Sequence, residues 1–333
     1  MDAEPTTLVI DRRGSASLRS RAVAVTTRAL IRPYLARAAA VPFGPALLAR
    51  TARYDRLATR WRPPRGTRTE PVAFEGFQAE WVHGPGVGRE RRPVILYLHG
   101  GAWICCGLNT HRPLVARISA ACGAPALSVD YRMIPVVRFT EEVEDCLAAY
   151  RWLLANGTAA RDIVIMGDSA GGHLTFATAL RALREGLPAP AALVALSPAL
   201  DLDLTAKLAH ANARLDPSGA MPIMERLVEG ICAGLDPADP EVSPVRASLA
   251  DLAGLPPVLL TAGSTEVLYC DAEAMARRLA RAGVPCTFQV WDRQVHVFQL
   301  FGPLLPESRA AIAEIGGFVR AALAPRDSGR ATA

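Results

Sequence analysis

The sequence predicts an α/β protein with a mostly parallel sheet covered by helices on both faces, and two observations carry that reading. Short apolar runs recur along the chain: VILYLHG, APALSVDY, DIVIMGDS, AALVALSP, PPVLLTAG and CTFQVW. Each has the length and apolar character of a strand buried on both faces. Helical stretches separate them at about 110–122, 140–155, 171–185 and 271–283, with a last one near 307–323. Strands alternating with helices imply crossover connections and a parallel sheet.

The elements follow in chain order. Residues 1–65 are rich in Arg and Ala, and SLRSRAVAVTTRALIRPYLARAAAV predicts one or two amphipathic helices, interrupted near Pro33 and ended near Pro42. Such a segment can pack on the main domain, cover a pocket as a lid, or touch lipid. The lid is the preferred reading. From residue 71, VAFEGFQAEWVHG alternates like an edge strand, and the GPGVG that follows reads as a hairpin turn rather than a phosphate cradle, because no helix comes after it. Residues 200–250 break the rhythm with Pro, Asp and helical pieces, as an insertion above the strand ends would. The expected organisation is an N-terminal helical cap segment, 1–65, and a catalytic domain, 66–333, carrying a cap insertion at about 200–250.

Composition narrows the function classes. Half of the 333 residues are hydrophobic and 21% are charged, which suits a globular protein with a large core. No apolar run reaches the ~20 residues of a membrane-spanning helix, and membrane contact is not expected. The net charge of +5 is almost all arginine, since Lys207 is the only lysine, and it is spread along the chain. Without a basic stripe interleaved with aromatics, nucleic acid is not an expected partner. The seven cysteines (Cys105, Cys106, Cys122, Cys146, Cys232, Cys270 and Cys286) show neither CxxC nor metal-ligand spacing. The opening residues lack the basic and apolar regions of a signal peptide, so a cytoplasmic location is the default.

Three motifs carry chemistry. The strand DIVIM runs into Gly167-Asp168-Ser169-Ala170-Gly171 and a helix follows, the strand–turn–helix context of a nucleophile elbow. A tight turn there needs small neighbours and projects the serine hydroxyl at the sheet's carboxyl edge. After VILYL comes His99-Gly100-Gly101-Ala102-Trp103, whose paired glycines let backbone N–H groups face an oxyanion; Ala170 N–H supplies another donor. His296, in the loop after the last strand, falls where the chain order Ser, acid, His requires the base. For the acid, Glu266 lies just past the strand PPVLLTAG. Asp271 is better placed to cap the next helix, and Asp292 competes through its nearness to His296.

With these residues in place, the chain resembles the hormone-sensitive-lipase-like branch of the α/β-hydrolases, which includes esterases, lipases and acetyl hydrolases. The resemblance spans about residues 70–320 and rests on HGGAW at 99, THR at 110, DYR at 130, GDSAGG at 167, SPVRASL at 243, GSTEVLYCDA at 263 and VHVFQ at 295. It implies the α/β-hydrolase fold, with an eight-stranded, mostly parallel sheet and a helical cap. Ser169, Glu266 and His296 match the triad, and Gly100, Gly101 and Ala170 the oxyanion-hole donors. Three positions depart from the pattern: Ala102 replaces a third glycine, DYRMIPV lacks the glutamate of a DYRLAPE-like stretch, and Glu-Val-Leu replaces Asp-Pro-Leu at the acid turn. The expected activity is hydrolysis of a small-molecule ester through an acyl-enzyme, by a monomer or homodimer, with no metal and no cofactor. Removal of an acetyl group or opening of a lactone on a specialised metabolite is the rival chemistry, and a non-catalytic ligand receptor the rival from another class.

Overall fold

The computed structural model describes residues 8–51 and 53–324; the outer limits of the expected segments, at 1 and 333, lie outside them. Nine strands form one sheet: β1 (Leu8–Arg13), β2 (Arg68–Ala73), β3 (Gln78–His83), β4 (Val94–Leu98), β5 (Ala126–Asp130), β6 (Ile163–Asp168), β7 (Ala192–Leu196), β8 (Val258–Gly263) and β9 (Cys286–Trp291). Their order is β1-β9-β8-β7-β6-β4-β5-β3-β2. Only β3 runs against its neighbours, pairing antiparallel with β2 and β5.

The strands are apolar on both faces because both faces are covered. Val94, Leu96 and Leu98 of β4 point into one core; Ile95 and Tyr97 point into the other. The first core packs under helices Phe139–Ala155, Ala170–Arg184 and Tyr269–Arg281; the second lies under Leu108–Cys122 and Pro306–Leu323. All five side chains of β4 are fully buried, each worth about 1.5–3 kcal/mol of transfer free energy when it is a large aliphatic. The chain reverses its winding direction at β4, with β5 on one side and β6 on the other. Such a switch point opens a crevice at the carboxyl ends of the strands.

Four details differ from the sequence reading. The sheet has a ninth strand, β1, which lies in the stretch expected to form the N-terminal helical cap segment and pairs parallel with β9. The helix from Leu18 to Ala39 passes through Pro33 without a break, because a π-helical turn at Thr27–Ile31 precedes the proline and absorbs its missing donor. VAFEGFQAEWVHG is not one strand: it turns at residues 74–77, where Phe74 and Phe77 stack at 4.6 Å, so β2 is the edge and β3 is interior. GPGVG is then a crossing from β3 to β4, which do not pair, and not a hairpin turn.

Helix Met221–Ile231, from the 200–250 stretch, packs against Arg32–Ala39, and both lie over the carboxyl edge of the sheet. Among the described residues no helix is long and apolar enough to cross a membrane.

Candidate active site

The elbow is built by steric necessity. Ser169 stands between β6 and helix Ala170–Arg184, as the residue before the first helical turn, with φ 53° and ψ −117°, a conformation that L residues avoid. A side chain on Gly171 would place its Cβ 2.0 Å from the Leu98 carbonyl oxygen, and one on Gly167 would meet the Gly171 carbonyl at 2.3 Å. The crossing of β4, β6 and the helix is therefore possible only with glycine at both positions.

The three expected side chains meet. His296 Nε2 lies 2.9 Å from Ser169 Oγ, and His296 Nδ1 lies 2.8 Å from Glu266 Oε2. Glu266 is fully buried, and its other oxygen accepts from Gly263 N–H at 2.7 Å and Ser197 Oγ at 2.8 Å. Burial alone would lower the imidazole's pKa, but the hydrogen bond and charge of Glu266 override it and raise His296 above its ordinary value. The two competing acids are occupied elsewhere. Asp271 pairs with buried Lys207 Nζ at 2.7 Å and takes the N–H groups of Leu200 and Asp201; Asp292 accepts from Ala16 N–H at 3.0 Å.

The oxyanion loop corrects one expectation. Gly100 N–H points to Asp168 Oδ1 at 3.2 Å, so it faces away from the serine and is not a free donor. Gly101 C=O accepts from Ile104 N–H at 3.2 Å and Cys105 N–H at 3.0 Å. That turns the far side of the same peptide, Ala102 N–H, toward the cavity that Ala102 and Ser169 both line. The amides of Gly101 and Ala102 make no hydrogen bond to other described residues, and Ala170 N–H, at the first helical position, has no intrahelical acceptor. Ala102 takes φ 54°, so alanine holds at some strain the backbone that a third glycine would adopt freely.

Behind the loop lies a buried network of which the sequence reading held only the THR motif at 110. Asp168 accepts from Tyr97 Oη at 2.7 Å and lies 3.3 Å from His111 Nε2. Burial alone would depress His111, yet the charge and hydrogen bond of Asp168 lift it to about 9, so this is an ion pair under the elbow. The motif THR at 110 was the only signal for it: Thr110 caps helix Leu108–Cys122 and bonds His111 Nδ1 at 2.9 Å. Two residues of the 200–250 stretch, Asn212 and Asp216, also went unread. Asn212 Nδ2 donates to Glu266 O at 2.9 Å and Asp216 Oδ2 accepts from Val267 N–H at 2.9 Å, bracing the acid turn from both sides. In the DYRMIPV stretch Arg132 pairs with Asp145, through Nε at 2.9 Å and Nη2 at 2.6 Å. Among the described residues no group of His, Cys, Asp or Glu could hold a metal ion.

The cavity above Ser169 has a volume of about 390 Å³ and is mainly apolar, lined among others by Ile31, Tyr34, Trp103, Leu202, Ile223 and Leu227.

A family model for the α/β-hydrolase fold matches residues 95–300. Esterase LipU of Mycobacterium tuberculosis is 39% identical over 274 residues, covering 80% of this chain and 92% of that protein. An acetyl-hydrolase of Streptomyces hygroscopicus is 41% identical over 249 residues, covering 73% and 80%. Among solved structures, an esterase of the bacterial hormone-sensitive lipase family superposes with a TM-score of 0.81 at 37% identity, covering 93% of this chain and 100% of that one. A sheet wound about its switch point, a glycine-locked elbow and these likenesses converge: the chain belongs to the α/β-hydrolase fold family, in its hormone-sensitive-lipase-like branch.

Proposed function

We propose that this protein is a serine carboxylic-ester hydrolase that works through an acyl-enzyme, with Ser169 as nucleophile, His296 as base and Glu266 as the acid that orients it. The observation that carries the reading is the unbroken line of hydrogen bonds from buried Glu266 through His296 to Ser169 Oγ. In this reading His296 Nε2 takes the serine proton as Oγ attacks the ester carbonyl, and Glu266 stabilises the imidazolium that forms. The N–H groups of Gly101, Ala102 and Ala170 receive the oxyanion. Each such donor is worth about 2.7–4 kcal/mol where one has been removed from a comparable site. The imidazolium then protonates the leaving alcohol, and water, activated by the same ring, releases the acid.

The expected cap segments, 1–65 less strand β1, which belongs to the sheet, and about 200–250, are read as the cap. Helices Arg32–Ala39 and Met221–Ile231 from these segments both contribute to the cavity wall, so they define how much acyl chain the site accepts. The cavity far exceeds an acetyl group and its walls are apolar, which favours esters with longer acyl chains or bulky apolar alcohols. Deacetylation is the second reading, because an acetyl-hydrolase is 41% identical. Seven unpaired cysteines support the cytoplasm as the place of action.

The test uses p-nitrophenyl esters, one of which, the butyrate, was soaked into the related EstE5 crystals. Ser169→Ala should abolish both turnover and labelling by a fluorophosphonate probe. Undiminished turnover would sink the assignment. A panel from acetate to laurate separates the two readings: a peak at acetate favours the deacetylase.

A further inference from the structure

The loop after His99 carries two adjacent thiols that the ester chemistry does not use. Cys105 Sγ and Cys106 Sγ lie 3.7 Å apart, and both residues are partly exposed. Cys105 lines both the cavity above Ser169 and a second cleft of about 580 Å³ on the outside of the loop; Cys106 lines only that outer cleft, beside Phe77 and Met133. A small reagent therefore reaches the pair without entering the acyl cavity.

The pair is coupled to the loop through one carbonyl. Cys105 Sγ donates to Gly101 O at 3.0 Å, and Cys105 N–H donates to the same oxygen at 3.0 Å. The peptide that ends in this carbonyl carries Ala102 N–H on its other side, so Cys105 sets the direction of a proposed oxyanion donor with both its backbone and its side chain. Cys106, with φ 72°, turns its thiol back toward Cys105.

We propose that Cys105 and Cys106 form a dithiol modification site, whose oxidation by a hydroperoxide to a disulfide disables the adjoining oxyanion loop. The reactive partner is Cys106. When Cys106 ionises, the single Cys105 S–H turns from Gly101 O to the neighbouring thiolate; that hydrogen bond, against the opposing effect of burial and with the His111 cation assisting, brings the Cys106 thiol down to about 7. Thiolate is thus abundant at neutral pH. With hydrogen peroxide, the Cys106 thiolate attacks one oxygen, the O–O bond breaks, and a sulfenic acid forms while the departing hydroxide is protonated to water. Cys105 then loses its proton and attacks the Cys106 sulfur; the S–O bond breaks, a second water leaves and the S–S bond forms. Two thiols and one peroxide give one disulfide and two waters. Consecutive Cα atoms are ~3.8 Å apart, below the usual ~4.4–6.8 Å of a bridged pair, so the ring is strained and small thiols reopen it. Closure removes the S–H that held Gly101 O and draws the Cys105 side chain off that carbonyl. Cys270, the other partly exposed thiol, is pushed up to about 12, chiefly by burial, and is a poor competitor.

The experiment treats the full chain with hydrogen peroxide and follows three readouts: intact mass, peptide mapping and turnover of p-nitrophenyl butyrate. The expected result is a loss of about 2 Da (two hydrogens), mapped to the peptide holding both residues, with a fall in kcat of tenfold or more that dithiothreitol reverses. Cys106→Ser should keep the untreated activity, form no link and resist the peroxide; Cys106→Ala, equally unable to form the link, replaces it should Cys106→Ser not fold. Absence of the link, a link that leaves kcat unchanged, or full inactivation of Cys106→Ser overturns the proposal. The turnover arm rests on the esterase reading and the mapping arm does not: an untreated chain that is inactive yet forms the link would sink that reading and support the site.

Discussion

Glu266→Gln tests the triad most sharply, because the site dictates which way the new amide must lie. Oε1 of the carboxylate is held by two donors, Gly263 N–H at 2.7 Å and Ser197 Oγ at 2.8 Å. The hydroxyl can turn to accept; the peptide N–H cannot. The glutamine oxygen must therefore stay on that side, and its NH2 must face His296 Nδ1, now 2.8 Å from Oε2. An NH2 group donates, so Nδ1 becomes the acceptor and the ring proton moves to Nε2. That nitrogen, 2.9 Å from Ser169 Oγ, then has no lone pair for the serine proton. The same tautomer inversion in a serine-protease triad lowers kcat by ~10⁴, or about 5.5 kcal/mol at 1.36 kcal/mol per tenfold. The assay is kcat for p-nitrophenyl butyrate beside a thermal melt, which should change little because the shape is kept. A variant retaining more than a tenth of the activity, beside an Asp271→Asn variant that loses it, would refute the assignment of the acid.

Four further outcomes are expected. Protonated His296 cannot act as a base, and Glu266 holds its pKa above 6.5, so kcat/KM should rise with pH through a midpoint above 6.5; a midpoint near 5 would contradict the geometry. Asp271→Asn leaves Lys207, 1% exposed at its side chain, as a buried cation without its 2.7 Å partner, and should cost about 3–5 kcal/mol in a denaturant melt. Gly316→Ala would put Cβ 2.4 Å from Ala121 O, whereas its neighbour Gly317 has open space. The first should lower Tm, and Gly317→Ala should raise stability by up to about 1 kcal/mol through helix propensity. Leu227→Trp, on the cavity wall, should cut kcat/KM for p-nitrophenyl octanoate at least tenfold and spare the acetate; equal losses on both esters would show that the wall does not measure acyl length.

What the sequence discloses of this site depends on how tightly the backbone constrains it. Ser169 and His296 were legible because the elbow tolerates few residues and because chain order fixes where the base must fall. Glu266 was legible only as the better of three carboxylates. Its rivals could not be dismissed until Asp271 was seen against Lys207 and Asp292 against the Ala16 amide. Gly100 was misassigned because composition marks a glycine-rich loop but not which face each peptide presents, and that is decided by Asp168 on one side and Cys105 on the other. Asn212 and Asp216 sit in a stretch with no period to follow. Strand β1 was hidden for a different reason: LVIDRR mixes apolar and charged residues without the alternation of a half-buried strand, and its burial is irregular.

That irregular strand also bears on how the molecule behaves among its own copies. Without it the sheet would end at Cys286–Trp291, where Phe288 and Val290 flank a row of unanswered amides, a template on which another chain could extend the sheet. With it the outermost ribbon carries Asp11, Arg12 and Arg13, and Arg13 is tied to Glu314 at 2.8 Å. A further chain pairing there would have to strip water from these charged side chains, so a few polar residues near the amino terminus guard the sheet against runaway self-pairing; clipping them away should make the protein clump well before it unfolds.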